Sequence, residues 1–85
     1  MRYKVILDPK AVSYLKKLDI SISERILKSL WKLRENPTKF GKHLIGVNLW
    51  VLRVGDYRVI YNILEKDKKV EILFIGHRKN IYREL

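Results

Sequence analysis

The sequence has no cysteine and no glutamine, only two prolines and four glycines, and few acids: nine Asp and Glu against nineteen Lys and Arg. Each shortage excludes something. Without cysteine there is no disulfide, no thiolate nucleophile and no cysteine-ligated zinc. No apolar run approaches the ~20 residues of a membrane-spanning helix. The opening Met1-Arg2-Tyr3-Lys4-Val5 reads as the approach to a strand and not as a signal peptide, so a cytoplasmic location is expected. The deficit of acid leaves a formal net charge of +10. It is not a basic tail: through Ile45 the chain carries 11 bases and 4 acids, and after it 8 and 5. A folded basic surface draws polyanions, nucleic acid first, then an acidic protein or an anionic membrane. Solubility alone, or the lysine- and isoleucine-rich surface of a thermophile, would produce the same balance.

A hydrophobic content of 47% marks a globular chain and not a disordered one. Its 85 residues suffice for one domain, residues 1–85, with one modest core. The organising stretch runs from Asn48 to Tyr61. Two runs of β-branched and aromatic residues are joined by Gly55-Asp56. Glycine at the first turn position accepts the positive φ of a tight hairpin. A two-residue turn fixes the register: Val54 opposite Tyr57, Arg53 opposite Arg58, Leu52 opposite Val59, Val51 opposite Ile60 and Trp50 opposite Tyr61. Strand alternation then puts Trp50, Leu52, Val54, Tyr57, Val59 and Tyr61 on one face, as core, and Arg53 and Arg58 on the other. Like charges directly opposite destabilise a hairpin. Two arginines side by side make sense where an anion belongs between them.

The rest falls into place around this hairpin. Tyr3 to Leu7 reads as a strand. Asp8-Pro9 starts a helix, Asp as N-cap and Pro at the first helical position. Ala11, Leu15 and Leu18 repeat at helical spacing, and the helix ends near Asp19. Ser21-Ile22-Ser23-Glu24 has the spacing of a capping box for a second helix. Its buried stripe is Ile22, Ile26, Leu30 and Leu33, with Trp31 at the edge and Arg25, Lys28, Lys32 and Arg34 as a solvated face. Asn36-Pro37 stops it. Residues 38–46 read as a loop, whose Lys39, Lys42 and His43 are candidate phosphate contacts or ordinary loop cations. After the polar turn at residues 65–68, a last strand runs through Phe74 and Ile75 to Gly76. With Leu64 opposite Lys69, strict alternation sets Arg58 opposite Ile75 and Ile60 opposite Leu73, and carries the arginine face through to His77. The order β-α-α-β-β-β implies an α+β fold, a helical hairpin packed on one face of a small twisted, mainly antiparallel sheet. The arginine face, with Leu49, Val51, Ile60, Leu73 and Ile75, is then left without a covering element. It expects a partner; a homodimer interface is the competing structural reading.

The stretch from Leu49 to Tyr61, with its Gly55-Asp56-Tyr57-Arg58-Val59 turn, and the closing Gly76-His77-Arg78 followed by Tyr82, resemble the RelE/ParE toxin superfamily, above all the small RelE-type mRNA interferases. The resemblance spans essentially the whole chain. It implies the toxin of a type II toxin–antitoxin system. It implies a metal-independent endoribonuclease that acts in the ribosomal A site, where the mRNA 2′-hydroxyl attacks the adjacent phosphate, and no cofactor. The partners it implies are the ribosome with its mRNA and a cognate antitoxin that folds onto the toxin, in an assembly such as a heterotetramer, with no membrane. On the residues that match, Arg58 contacts the scissile phosphate, Arg78 meets transition-state charge or the leaving group, and Tyr82 stacks on or orients the substrate. Arg53 falls where some members carry a catalytic lysine.

Two positions depart from the pattern. Val51 stands where some members place a second lysine, and His77 where those members have lysine, though others have histidine. Arginine, with a pKa above about 12, is a poor proton carrier, whereas histidine as a residue type titrates near neutrality. His77 is therefore the expected acid–base group, with Arg53, Arg58 and Arg78 supplying charge and Lys39, Lys42, His43 and Lys79 as further RNA contacts. Structural roles compete with each: Arg58 as a turn cap or partner of Asp56, His77 as a strand-end cap, Tyr82 as a core residue. The superfamily also contains ParE-type toxins, which act on DNA gyrase by protein contact. A degenerate member that only binds its antitoxin is the third reading.

Overall fold

The computed structural model describes residues 2–85; Met1, at the head of the opening segment, lies outside the described residues. Strand β1 (Lys4–Leu7) leads into helices α1 (Pro9–Lys17) and α2 (Ile20–Glu35). A short helical turn, α3 (Pro37–Phe40), and a two-residue strand, β2 (Lys42–His43), follow. Strands β3 (Trp50–Val54), β4 (Tyr57–Leu64) and β5 (Lys69–His77) complete the sheet, and a 3₁₀ turn (Ile81–Glu84) ends the chain. The sheet has five strands in the order β1-β5-β4-β3-β2. Only the β1–β5 pair is parallel. The expected helical pair on a mainly antiparallel sheet is what forms. The stretch read as a loop supplies α3 and the edge strand β2 instead.

Local chemistry explains most boundaries. The Asp8 carboxylate accepts the Lys10 N–H at 2.9 Å and caps α1. The Ser-Glu capping box is not used. Only Leu18 and Asp19 separate the helices, so the chain re-enters helical geometry at Ile20, with Asp19 as an N-cap that makes no side-chain bond. Ser21 is thereby drawn inside the first turn, and the Ser23 hydroxyl donates to the Ile20 carbonyl at 3.1 Å. At the far end of α2 the Asn36 side chain accepts the Lys39 N–H at 3.2 Å and starts α3, with Pro37 at its first position.

The helices cover the face that carries Leu52, Val54, Val59, Tyr61, Val70 and Ile72, and against it they bury Ala11, Leu15, Ile26, Leu30 and Leu33. Burial of a side chain such as Leu33 stabilises by roughly 1.5–3 kcal/mol. Tyr61 is the pillar of this core. It is fully buried, and its hydroxyl donates to the Pro37 carbonyl at 2.6 Å. Burial holds its phenol well above the usual tyrosine range. A Cβ on Gly41 would lie 1.6 Å from that hydroxyl, so glycine is what lets α3 and β2 close over it.

The hairpin forms in the expected register, all five pairs included. The β4–β5 register starts as expected with Leu64 opposite Lys69, but strict alternation breaks at a β-bulge between Ile60 and Tyr61. Tyr61 pairs with Ile72 and Ile60 with Phe74, which leaves Leu73 as the extra residue. From there every side chain of β5 changes face. Arg58 lies opposite Gly76 and not Ile75; Ile60 lies opposite Phe74 and not Leu73. Ile75 joins the helical core. His77 pairs with Tyr57, so it sits on the helix-covered face, away from Arg53 and Arg58. Nor is the second face bare. Ile81 packs on Val51 and Ile60, flanked by Leu44, Leu49 and Phe74, in a small second core. A Cβ on Gly76 would meet the Ile81 side chain at 2.9 Å.

Tyr61→Phe is expected to lower unfolding free energy by about 1–3 kcal/mol, because the Pro37 carbonyl stays buried without its donor. Gly41→Ala should cost more. The double variant should recover only part of that loss, since the Tyr61 ring carbon that carries the hydroxyl also lies 2.7 Å from the added methyl; urea denaturation reads all three. Glu65 clasps the β4–β5 turn to the chain just before β1, accepting from Tyr3 at 2.6 Å and from Lys68. The Lys68 ammonium first, then the Tyr3 hydroxyl, holds the Glu65 carboxyl below the usual range. A lowered carboxyl stabilises above its unfolded pKa and ceases to as pH falls through the folded one. The small melting-temperature deficit of Glu65→Gln should therefore be present at neutral pH and vanish on acidification.

Candidate functional site

The cationic site gathers at the tip of the β3–β4 hairpin. Gly55 has φ +58° and Asp56 does not share that region, so a positive φ is needed only at the first turn position, as in a type II′ turn. Arg53 and Arg58 lie directly opposite each other beside the turn, on the face away from the helices. Arg53 is exposed; Arg58 is half-buried. One terminal nitrogen of Arg58, Nη1, donates to the Gly55 and Tyr57 carbonyls, each at 2.8 Å. Arg58 does cap the turn, but its Nε and Nη2 bond to none of the described residues and remain available to an anion.

Arg78 arrives from the other side. Its backbone N–H donates to the Asp56 carbonyl at 2.8 Å, and its Nε lies 3.8 Å from the Asp56 carboxylate. Asp56 is the only carboxylate ion-paired with this group among the described residues. A guanidinium 52% exposed gains little from one such pair in water. The tip therefore keeps a net positive charge.

His77 does not join the arginines. Its ring meets Tyr57 edge to face with centroids 5.6 Å apart. Its Nδ1 accepts the Lys79 N–H at 3.2 Å, and its carbonyl accepts the Asn80 N–H at 2.9 Å. These bonds shape the turn that presents Arg78. Expecting His77 beside Arg58 assumed unbroken alternation in β5; the bulge turns it to the other side.

The remaining candidates divide. Lys42 pairs with Val51 and so shares the arginine-bearing face, one strand nearer the sheet edge. His43, its neighbour, points to the opposite face and stacks on Trp50 at 4.9 Å. Lys39 lies on α3 with its ammonium over the Phe40 ring, 5.5 Å from the centroid. Lys79 is exposed beside Arg78. Tyr82 is 49% exposed; the core role falls to its neighbour Ile81. One residue at the tip was read only as helix decoration. The Arg25 side chain of α2 reaches Gly55, its Nη2 2.8 Å from where a Cβ would stand. No periodicity or motif signals that contact, because it joins elements thirty residues apart. Among the described residues no helix is long and apolar enough to cross a membrane.

A helical hairpin on a small mixed sheet, with guanidinium groups at a hairpin tip, places the chain among compact basic α+β domains. Comparison with known proteins gives the family. The model of the family described as "ParE toxin of type II toxin-antitoxin system, parDE" matches residues 5–82. The chain belongs to the RelE/ParE toxin superfamily. No curated protein matches. Among solved structures, the toxin–antitoxin complex RelBE2 from Mycobacterium tuberculosis holds a chain 28% identical, with TM-score 0.86 over 92% of this chain and 100% of that one. The archaeal RelE–RelB complex from Pyrococcus horikoshii OT3 holds one 34% identical, with TM-score 0.79 over 92% and 97%. The intact RelBE complex of E. coli holds one 25% identical, with TM-score 0.75 over 88% and 95%.

Proposed function

We propose that this toxin is a ribosome-dependent endoribonuclease that cleaves mRNA by attack of a 2′-hydroxyl on the adjacent phosphate. The observation that carries the reading is the convergence of Arg53, Arg58 and Arg78 on one hairpin turn with Asp56 as the paired acid. In this reaction a P–O2′ bond forms and the P–O5′ bond breaks. The 2′-oxygen gives up a proton and the 5′-oxygen takes one, leaving a 2′,3′-cyclic phosphate. Negative charge builds on the phosphoryl oxygens of the pentacoordinate state. Fixed guanidinium groups stabilise that charge without having to reorganise. Arg58, held by two carbonyls, is fixed in this sense, and the backbone of Arg78 is anchored on the Asp56 carbonyl. Tyr82 supplies an exposed ring for a base to stack on. Lys42, on the same face, brings an amine beside the arginine row. His77 is assigned a positioning role, through the turn that carries Arg78. The likeness to toxins solved in RelE–RelB complexes supports this reading over the others.

The family description naming ParE favours a second reading, a toxin that stops DNA gyrase by protein contact. Primer extension on mRNA after expression separates the two. Arg58→Ala and Arg78→Ala should each lower cleavage on ribosomes by about 10²–10³, with folding intact. His77→Ala should cost less than either, and it should add nothing in the Arg78→Ala background, where the group it positions is already gone. Intact mRNA together with gyrase-linked DNA breaks would establish the second reading instead.

The partner is an antitoxin with an acidic, amphipathic segment. An apolar groove of about 710 Å³ lies between α2 and β1, at the free edge of the sheet. Leu27, Leu30 and Trp31 line it, with Arg2, Lys4 and Arg34 beside them. Trp31 is 60% exposed, with the Arg34 guanidinium 4.2 Å above its ring. Apolar side chains fill such a groove while carboxylates meet its basic rim. Leu27→Glu should leave mRNA cleavage unchanged and raise the Kd of the antitoxin at least about tenfold, as expected where burial of an apolar anchor is lost. Growth then fails to recover when the antitoxin is co-expressed.

A further inference from the structure

We propose that Arg25, on α2, is a substrate-positioning residue that holds the phosphate next to the scissile one. The inference rests on the nuclease reading above and extends its site across the hairpin tip to the helical side.

Arg25 is exposed, and its backbone is steadied by the Ser29 hydroxyl, which donates to the Arg25 carbonyl at 3.1 Å. Its guanidinium could point anywhere in solvent. It lies instead against the turn, with Nη2 2.8 Å from the Cβ position of Gly55. Arg58 Nη1 touches the carbonyl of the same residue at 2.8 Å. Covalent geometry then limits the separation of the two guanidinium nitrogens to about 9 Å. Among the described residues Arg25 forms no ion pair, and the Asp56 carboxylate is paired with Arg78. Three guanidinium groups, from α2, β4 and the segment after β5, thus surround one two-residue turn.

Like charges gathered at this spacing repel unless an anion lies among them. One phosphate does not fill this arrangement, because Arg58 and Arg25 approach the turn from opposite sides of the sheet. Successive phosphates of a single strand are joined through six covalent bonds, and an extended backbone spaces them within that limit. A strand crossing the tip presents one phosphate to Arg58 and Arg78 and the neighbouring one to Arg25. The glycine serves this contact too, since any side chain at position 55 would occupy the space the guanidinium takes.

The test combines a change in the protein with a change in the substrate. Wild type and Arg25→Ala are compared on ribosomes programmed with three messages: the natural one, and two with a neutral methylphosphonate in place of the phosphate on either side of the scissile one. Arg25→Ala should lower kcat/KM about tenfold on the natural message, the scale of a lost charge-assisted hydrogen bond. On one of the two neutralised messages that defect should vanish. Arg25→Lys, which keeps the charge, should restore most of the rate, and thermal unfolding confirms that each variant folds. An equal defect on all three messages overturns the inference and leaves the nuclease reading standing, as would follow if Arg25 met only ribosomal RNA. A wild type that leaves every message intact overturns the nuclease reading and this inference with it.

Discussion

A single extra residue in β5 lets one strand serve two cores. Leu73 has no partner on β4, so Ile72 and Ile75 both face the helices while Phe74, between them, faces the other way. Without the bulge, alternation would send Ile75 to the outer face and take it out of the helical core. With it, Gly76 falls opposite Arg58, and the absent side chain gives Ile81 a seat over Ile60. The bulge thus fixes three things together: the closing of the main core, the anchoring of the C-terminal turn, and the separation of His77 from the arginines. Burial gained on both faces offsets the local disruption of the ladder.

The hairpin tip follows a different logic. Its carbonyls, not its carboxylates, do most of the holding. Gly55 and Tyr57 accept from Arg58, and Asp56 accepts from the backbone of Arg78. Neutral acceptors orient a guanidinium without cancelling its charge. The positive potential therefore survives at the tip, on a chain whose net charge already draws polyanions. Arginine suits this use better than lysine, because its planar fork can spend some N–H groups on the protein and keep others for phosphate.

The groove proposed for the antitoxin lies apart from this tip. The groove along β1 and α2 is apolar and basic, and it lies at the sheet edge opposite β2. The cationic tip lies at the end of the central strands. A folded-on-binding acidic segment is well matched to a surface of this kind, since it gains from both apolar burial and charge neutralisation.

The hairpin, its register and its arginine pair were legible in the sequence because a two-residue turn leaves one choice of pairing. The helix positions were legible from spacing, and family membership from the motifs around Gly55 and Gly76. The start of α2 was misread because the two-residue link between the helices overrides the capping signal, and β2 was missed because a two-residue strand has no periodicity. By itself the sequence determined the local elements and the charge, which depend on neighbours within a few residues. Only the tertiary structure decided which face each residue of β5 occupies and which helix side chain reaches the hairpin, so only it separated His77 from Arg58 and brought Arg25 to Gly55. The physical reason is that a bulge is chosen by what both faces can bury, and a contact between α2 and a hairpin turn exists only once the two have packed.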